Sequence, residues 1–186
     1  MEITPPDRLS DGVVALRPWR DDDAADLVAA LNGDDEITRW LDSIPQPYTD
    51  ADAQAWLIHT RGAWSSGGAP FAVVDDKTDE LLAGITVRWT DVVNAVAEVG
   101  YWTRASARRR GVMTRALRLA SDWVFEEGCE RLVLRADVRN EGSQHVAERA
   151  GFEREGVERS VRFSPRQRRR IDFVVFARIR SARRSA

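Results

Sequence analysis

A chain of 186 residues, 43% apolar and 31% charged, can build one well-cored domain and is short for two. Its formal net charge of −2 argues against nonspecific nucleic-acid binding by the whole chain. Its one cysteine, Cys129, excludes an internal disulfide and a cysteine-based metal cluster, and no metal site is expected. Met1–Pro6 lacks the basic-then-apolar order of a signal peptide, and no apolar run approaches the roughly 20 residues that span a bilayer, so the expected location is the cytoplasm.

Val13–Trp19 reads as an opening strand broken by Pro18. Asp21–Asp23 then place acids at the start of a helix with Ala24, Leu27, Val28 and Leu31 on one face. Trp40–Tyr48 reads as a proline-bearing loop. Thr49 caps a second helix with Ala53, Trp56, Leu57, Thr60 and Trp64 along a stripe, ended by Gly67-Gly68. Strands follow at Phe71–Asp75, Leu81–Trp89 and Val96–Thr103. A third helix carries Val112, Ala116, Leu119, Ala120, Trp123 and Val124 and stops at Gly128. Arg131–Arg135 has the continuous apolar centre of a central strand. A short helix, Gly142–Arg149, precedes two long strands, Phe152–Phe163 and Arg170–Ile179. The implied fold class is α/β (α+β): a mixed, mostly antiparallel central sheet with about four helices and one right-handed parallel β-α-β crossover. Residues 8–180 read as one domain, and 181–186 as a frayed tail.

The most informative run is Arg108-Arg109-Arg110-Gly111-Val112-Met113-Thr114, a basic turn between the Val96–Thr103 strand and the third helix. A helix N-terminus offers unpaired N–H groups and a positive dipole end, and a glycine lets backbone approach a ligand closely. The turn therefore points to a phosphate-bearing ligand. Backbone amides are expected to do most of the binding, and the three arginines either add charge or solvate the turn. The glycines of a dinucleotide fingerprint and of a P-loop are absent. Glu98, within an apolar strand, is either a general base whose burial raises its pKa or an outward-facing residue. Trp40 and Tyr48 are candidates for an acceptor pocket, whereas Trp56 and Trp64 default to packing. Cys129 has no neighbouring base, so a thiol nucleophile is not expected.

Arg108-x-x-Gly111-x-Met113 resembles the Q/R-x-x-G-x-G/A signature with which GNAT N-acetyltransferases grip the pyrophosphate of acetyl-coenzyme A. Met113 stands where that signature has glycine or alanine. Ala97-Glu98-Val99-Gly100-Tyr101-Trp102, Asn140-Glu141-Gly142-Ser143, Glu148–Phe152, Leu16–Trp19 and Pro47-Tyr48-Thr49 are similar to segments of the RimJ/RimL branch, in the same order. The resemblance implies a GNAT fold and direct acetyl transfer from acetyl-coenzyme A to a primary amine, with a protein or peptide α-amine as acceptor. It further implies Glu98 as a base acting through water, and a backbone N–H near Trp102 or Thr103 as oxyanion donor where the two crossover strands splay. Ser143 becomes the acid for the leaving thiolate, in place of a tyrosine found in other branches where this chain has Ala147. Ser143 could equally cap a helix. Asn140 would contact the pantetheine arm, or cap a turn. The cofactor turn then comprises Arg108, Arg109, Arg110, Gly111, Val112, Met113 and Thr114.

The residues leave four alternatives standing. A small cationic amine is the alternative acceptor, for which Asp34, Asp35, Glu36 and Asp42 could form an acidic pocket or merely solvate a helix flank. A noncatalytic coenzyme A-binding module is the alternative from another class. Arg166–Arg170 reads as a solvated hairpin tip or a contact for an acidic partner or ribosomal RNA, and the C-terminal strands could supply a homodimer edge.

Overall fold

The computed structural model describes residues 2–180; the expected tail, 181–186, lies outside them. Eight strands form one sheet: β1 (Leu9–Ser10), β2 (Val14–Pro18), β3 (Gly68–Asp75), β4 (Leu81–Asp91), β5 (Val96–Thr103), β6 (Arg131–Asp137), β7 (Glu153–Ser164) and β8 (Arg169–Ile179). Their spatial order is β1-β2-β3-β4-β5-β6-β8-β7. Every neighbouring pair is antiparallel except β5–β6, which the crossover helix α4 (Val112–Glu126) makes parallel.

The alternation of each strand sends side chains to two cores. On β3, Phe71 and Val73 join a cluster with α4 residues Ala116, Leu117, Ala120, Trp123 and Val124. Ala72 and Val74 instead meet Leu27 and Leu31 of α1 (Ala24–Asn32) and Ala53 and Leu57 of α3 (Asp50–Ala63). The sheet is thus sandwiched between helices. The α4 stripe runs through Leu117 rather than Leu119, which is only partly buried. Trp123 anchors that side with its ring edge-on to Trp64, Phe71 and Trp89 at 5.1–6.5 Å. Trp64 is buried, in keeping with packing. Thr49 caps α3 as expected, and does so through a reciprocal box: its hydroxyl accepts from Asp52 N–H while the Asp52 carboxylate accepts from Thr49 N–H.

Five α-helices are present among the described residues rather than about four. The additional one, α2 (Asp35–Trp40), occupies six residues that continue into the expected loop. Asp34 caps it, accepting from Glu36 N–H. The β7–β8 tip is exposed at Arg166, Arg168 and Arg170, as a solvated basic turn would be, yet two of its side chains also dock on α2. The Arg166 guanidinium donates to the carbonyls of Thr38, Leu41 and Ile44, and Gln167 Nε2 donates to Arg39 O at 2.8 Å. A guanidinium on the orphan carbonyls of a helix C-terminus satisfies them and complements the dipole. The tip therefore fixes α2 against the sheet. At the other end, the guanidinium of Arg17 on β2 forms a buried bidentate pair with Asp23, both bonds at 2.8 Å, which ties the strand to the entry of α1.

Candidate active site

The site follows from where β5 and β6 part. β5 stays paired with β4 as far as Thr103, opposite Ala83. Its pairing with β6 runs only from Val96↔Arg131 to Val99↔Leu134, while β6 continues with β8 to Asp137. Beyond Val99, Gly100–Thr103 therefore present backbone groups on the β6 side without ladder partners. A cavity of about 500 Å³ opens there, and Trp102 and Thr103 line it together with Tyr101.

The basic turn forms one wall of this cavity. Arg109 and Gly111 both adopt left-handed backbone, at φ 59° and 76°, separated by Arg110. An added Cβ on Gly111 would meet nothing within 4 Å, so the dihedral, not crowding, demands glycine there. No side chain caps α4. Its first-turn N–H groups have no intrahelical partner, and Gly111, Val112, Met113 and Thr114 line the cavity. Alternating backbone of this kind forms a concave nest of N–H groups suited to phosphate oxygens. Met113 is 4% exposed and belongs to the core cluster, so the bulk that departs from the family signature is largely taken up in packing. Arg108 and Arg109 line the cavity; Arg110 does not, and its Nη1 donates to Ser106 O at 3.3 Å. Arg108 is already engaged across the cavity mouth, by Asp34 and by Glu36 at 2.8 Å.

The opposite wall is the start of α5 (Glu141–Arg149). Asn140 is the residue that caps this helix: its Oδ1 accepts from Ser143 N–H at 3.0 Å. Ser143 therefore is not the cap, and its hydroxyl is left for another partner. That partner is Tyr101, whose phenol oxygen lies 2.9 Å from Ser143 Oγ and donates to Ser143 O at 3.1 Å. Burial pushes the Tyr101 phenol up to about 12, against the Ser143 hydrogen bond, which lowers it. Sequence reasoning took Tyr101 only as part of a motif. No local signal marks it, because its partner lies 42 residues further on.

Glu98 is not a lining residue of the cavity. Its neighbours Ala97 and Val99 are buried against the α4 side, which places Glu98 on the other face of β5. Its Oε2 accepts from Nη1 of Arg135 on β6 at 2.8 Å, and Arg135 also holds Glu158 of β7 at 2.9 Å. The carboxylate thus sits beside a guanidinium, half-exposed, rather than against an apolar wall.

Trp40, at the end of α2, lines the cavity. Tyr48 does not: it is 6% exposed within the α1–α3 core, with its backbone N–H and C=O both bonded to the Asn32 amide. Burial, with Asp52 nearby, pushes its phenol up to about 12. Trp102 stacks on Trp19 at 6.4 Å over Gly84, its register partner on β4. A Cβ on Gly84 would fall 2.6 Å from Trp102 Nε1, so only glycine admits this ring. The supposed acidic pocket is dispersed: Asp34 and Glu36 share Arg108, Asp42 pairs with Arg162 and Ser164, and Asp35 lines a different cavity. Burial opposes the Asp42 charge, but those hydrogen bonds and the Arg162 and Arg166 charges hold its carboxyl below the usual carboxylate range.

Against known families, residues 14–153 match the acetyltransferase (GNAT) domain. Among curated proteins, the chain is 40% identical over 83 residues to YdaF of Bacillus subtilis (strain 168), covering 44% of this chain and 45% of that protein. It is 33% identical over 88 residues to the ribosomal-protein-serine acetyltransferase of Escherichia coli (strain K12), covering 47% and 49%. The matched stretches thus span about half the length of these relatives. Among solved structures, Mycobacterium smegmatis RimJ in complex with CoA-disulfide superposes with a TM-score of 0.84 at 22% identity, covering 96% of this chain and 88% of that one. The family match takes in most of the sheet, the splayed strands and the turn at Gly111, and the chain belongs to the GNAT acetyltransferase family.

Proposed function

We propose that the protein transfers acetyl from acetyl-coenzyme A directly to a primary amine, the α-amine of a peptide or protein N-terminus. The observation that carries this reading is the splay of β5 from β6 between an uncapped helix N-terminus and the Tyr101–Ser143 pair. Acetyl-coenzyme A supplies the activated acetyl group. The N–H groups of Gly111–Thr114 hold its pyrophosphate, with charge added by Arg108 and Arg109. Asn140, whose side chain is at the cavity wall, flanks the pantetheine arm.

An unpaired β5 N–H at Trp102 or Thr103 stabilises the developing oxyanion. Glu98 takes the amine proton, through a water because its carboxylate is not at the cavity surface. Ser143 Oγ hands its proton to the departing sulfur and recovers one, through water, from the acetylated nitrogen, so no serine alkoxide is left. Tyr101 orients that hydroxyl; with its phenol held at about 12 it keeps its own proton at neutral pH. The small cationic acceptor is less favoured, since three of the four acids that pointed to it, Asp34, Glu36 and Asp42, are paired with arginines.

Thiol release from acetyl-coenzyme A, measured with N-terminal peptides and with small amines, tests the reading. Release with peptides supports it. Tight binding of acetyl-coenzyme A without release on any acceptor would make the chain a noncatalytic coenzyme A-binding module. Unchanged turnover and pH–rate profile in Glu98→Gln would remove Glu98 from the chemistry.

A further inference from the structure

A second cavity, of about 560 Å³, lies across α2 from the first. Glu36, Ile37 and Trp40 face the cofactor cavity, whereas Asp35, Thr38 and Arg39 face the second. The turn after β6 divides in the same way, with Asn140 on one side and Arg139 on the other. Four arginines line this second cavity, Arg39, Arg139, Arg166 and Arg169, against the single carboxylate of Asp35.

Two of these cations are committed. Arg166 holds the carbonyls at the end of α2, and Arg169 pairs with Asp137. Arg39 and Arg139 are exposed and have no carboxylate partner among the described residues; Arg39 only lies over the Trp40 ring, 5.0 Å from its centroid. These two guanidiniums stand on separate elements, α2 and the β6–α5 turn. Two cations carried on two elements can each meet a carboxylate of its own.

The cavity also borders the sheet face that carries Glu98. On β6, Leu134 and Ala136 face the α4 core, so Arg135 and Asp137 share the opposite face, the one that carries Glu98. Arg135 grips Glu98, and Asp137, one strand repeat or about 7 Å along, grips Arg169 of the cavity. An extended peptide advances about 3.3 Å per residue, so about two or three residues cover that distance.

We propose that this cavity binds carboxylates of the acceptor, so that the preferred substrate is a peptide α-amine followed by acidic side chains within its first few residues. The proposal rests on the acetyl-transfer reading given above and adds the acceptor's charge to it. Like charge excludes polyamines and lysine-rich N-termini from the same path.

The test compares kcat/KM for matched peptides whose second to fourth residues are Asp/Glu, Asn/Gln or Lys, by thiol release with the full chain. The acidic peptide is expected to exceed its amide counterpart by about fivefold for each carboxylate engaged, through KM, with the advantage shrinking at high salt. Arg139→Gln and Arg39→Gln should each cut the acidic-to-amide ratio by about fivefold, and Arg139→Lys should retain most of it. Equal kcat/KM for the acidic and amide peptides, a preference for the lysine peptide, or turnover of phosphate-bearing amines with none of peptides would overturn the proposal. Failure of the base assignment is read separately, from kcat of Glu98→Gln on the amide peptide, because the charge preference is a ratio of KM values.

Discussion

Replacing Tyr101 by phenylalanine removes one oxygen and keeps the ring, so it isolates what that hydroxyl does for Ser143. A phenol has one proton and here faces two acceptors, Ser143 Oγ at 2.9 Å and Ser143 O at 3.1 Å. When the proton goes to Oγ, the serine's own hydrogen is free to point at the leaving sulfur. When it goes to the carbonyl, the serine hydrogen turns back onto the phenol and is lost to catalysis. Without the phenol, the serine rotor is unconstrained and its carbonyl loses a partner, which costs about 1–3 kcal/mol of stability. General acid catalysis is worth roughly 10²–10⁴ in rate, and losing the orientation of the acid should remove about 10- to 100-fold of kcat. KM for acetyl-coenzyme A should change little, since the turn proposed to hold the pyrophosphate, Arg108–Thr114, is a separate element from the Tyr101–Ser143 pair.

The assay is steady-state thiol release for Tyr101→Phe, Ser143→Ala and the double variant. If the tyrosine works through the serine, the phenylalanine change costs less than about twofold in kcat once Ser143 is alanine. Independent, multiplying losses would refute the coupling, and an unchanged kcat in Tyr101→Phe alone would refute the orientation argument altogether.

Gly84→Ala should push Trp102 from its stacked position, because the new Cβ would lie 2.6 Å from the indole nitrogen; a stability loss of about 1–3 kcal/mol by urea unfolding, with weaker acetyl-coenzyme A binding by calorimetry, is expected. Glu36→Gln removes one of the two carboxylates that compete with pyrophosphate for Arg108, so the Kd for acetyl-coenzyme A should fall by about two- to fivefold; an unchanged or larger Kd would show that Arg108 contributes nothing to binding. Tyr48 and Tyr101 both titrate near 12 in the fold against an ordinary value of 10.0, so their neutral forms are favoured by folding. Their contribution to stability is complete below about pH 10 and is lost as pH rises toward about 12, a decline that Tyr101→Phe should lessen in urea midpoints taken across that range.

The sequence made the crossover legible because its signals are local. The basic turn, Gly111 and the apolar period of α4 lie next to one another, and the Thr49 cap stands immediately before its helix. What escaped was held by distant partners. α2 is only six residues long, too short to declare a period, and it is fixed by Arg166 from a hairpin more than a hundred residues later. The same contact explains how an exposed run of arginines also acts, through Arg166, as a clamp. Tyr48 looked like a pocket aromatic because it sits among prolines, yet Asn32 draws its backbone inward and the ring fills the core. The separation of an acidic pocket from a set of ion pairs likewise required knowing that Arg108 and Arg162 face Asp34, Glu36 and Asp42. Glu98 stood out by its place in an apolar strand, but the guanidinium of Arg135 beside it did not, since parallel register is not written locally.

The most direct test of the account is mass analysis of an acidic N-terminal peptide after incubation with the protein and acetyl-coenzyme A, with free thiol counted in the same sample. Acetyl on the α-amine in amounts equal to the thiol released, and much reduced in Glu98→Gln, is the predicted result. Thiol released without an acetylated peptide, or acetyl found only on lysine side chains, would contradict it.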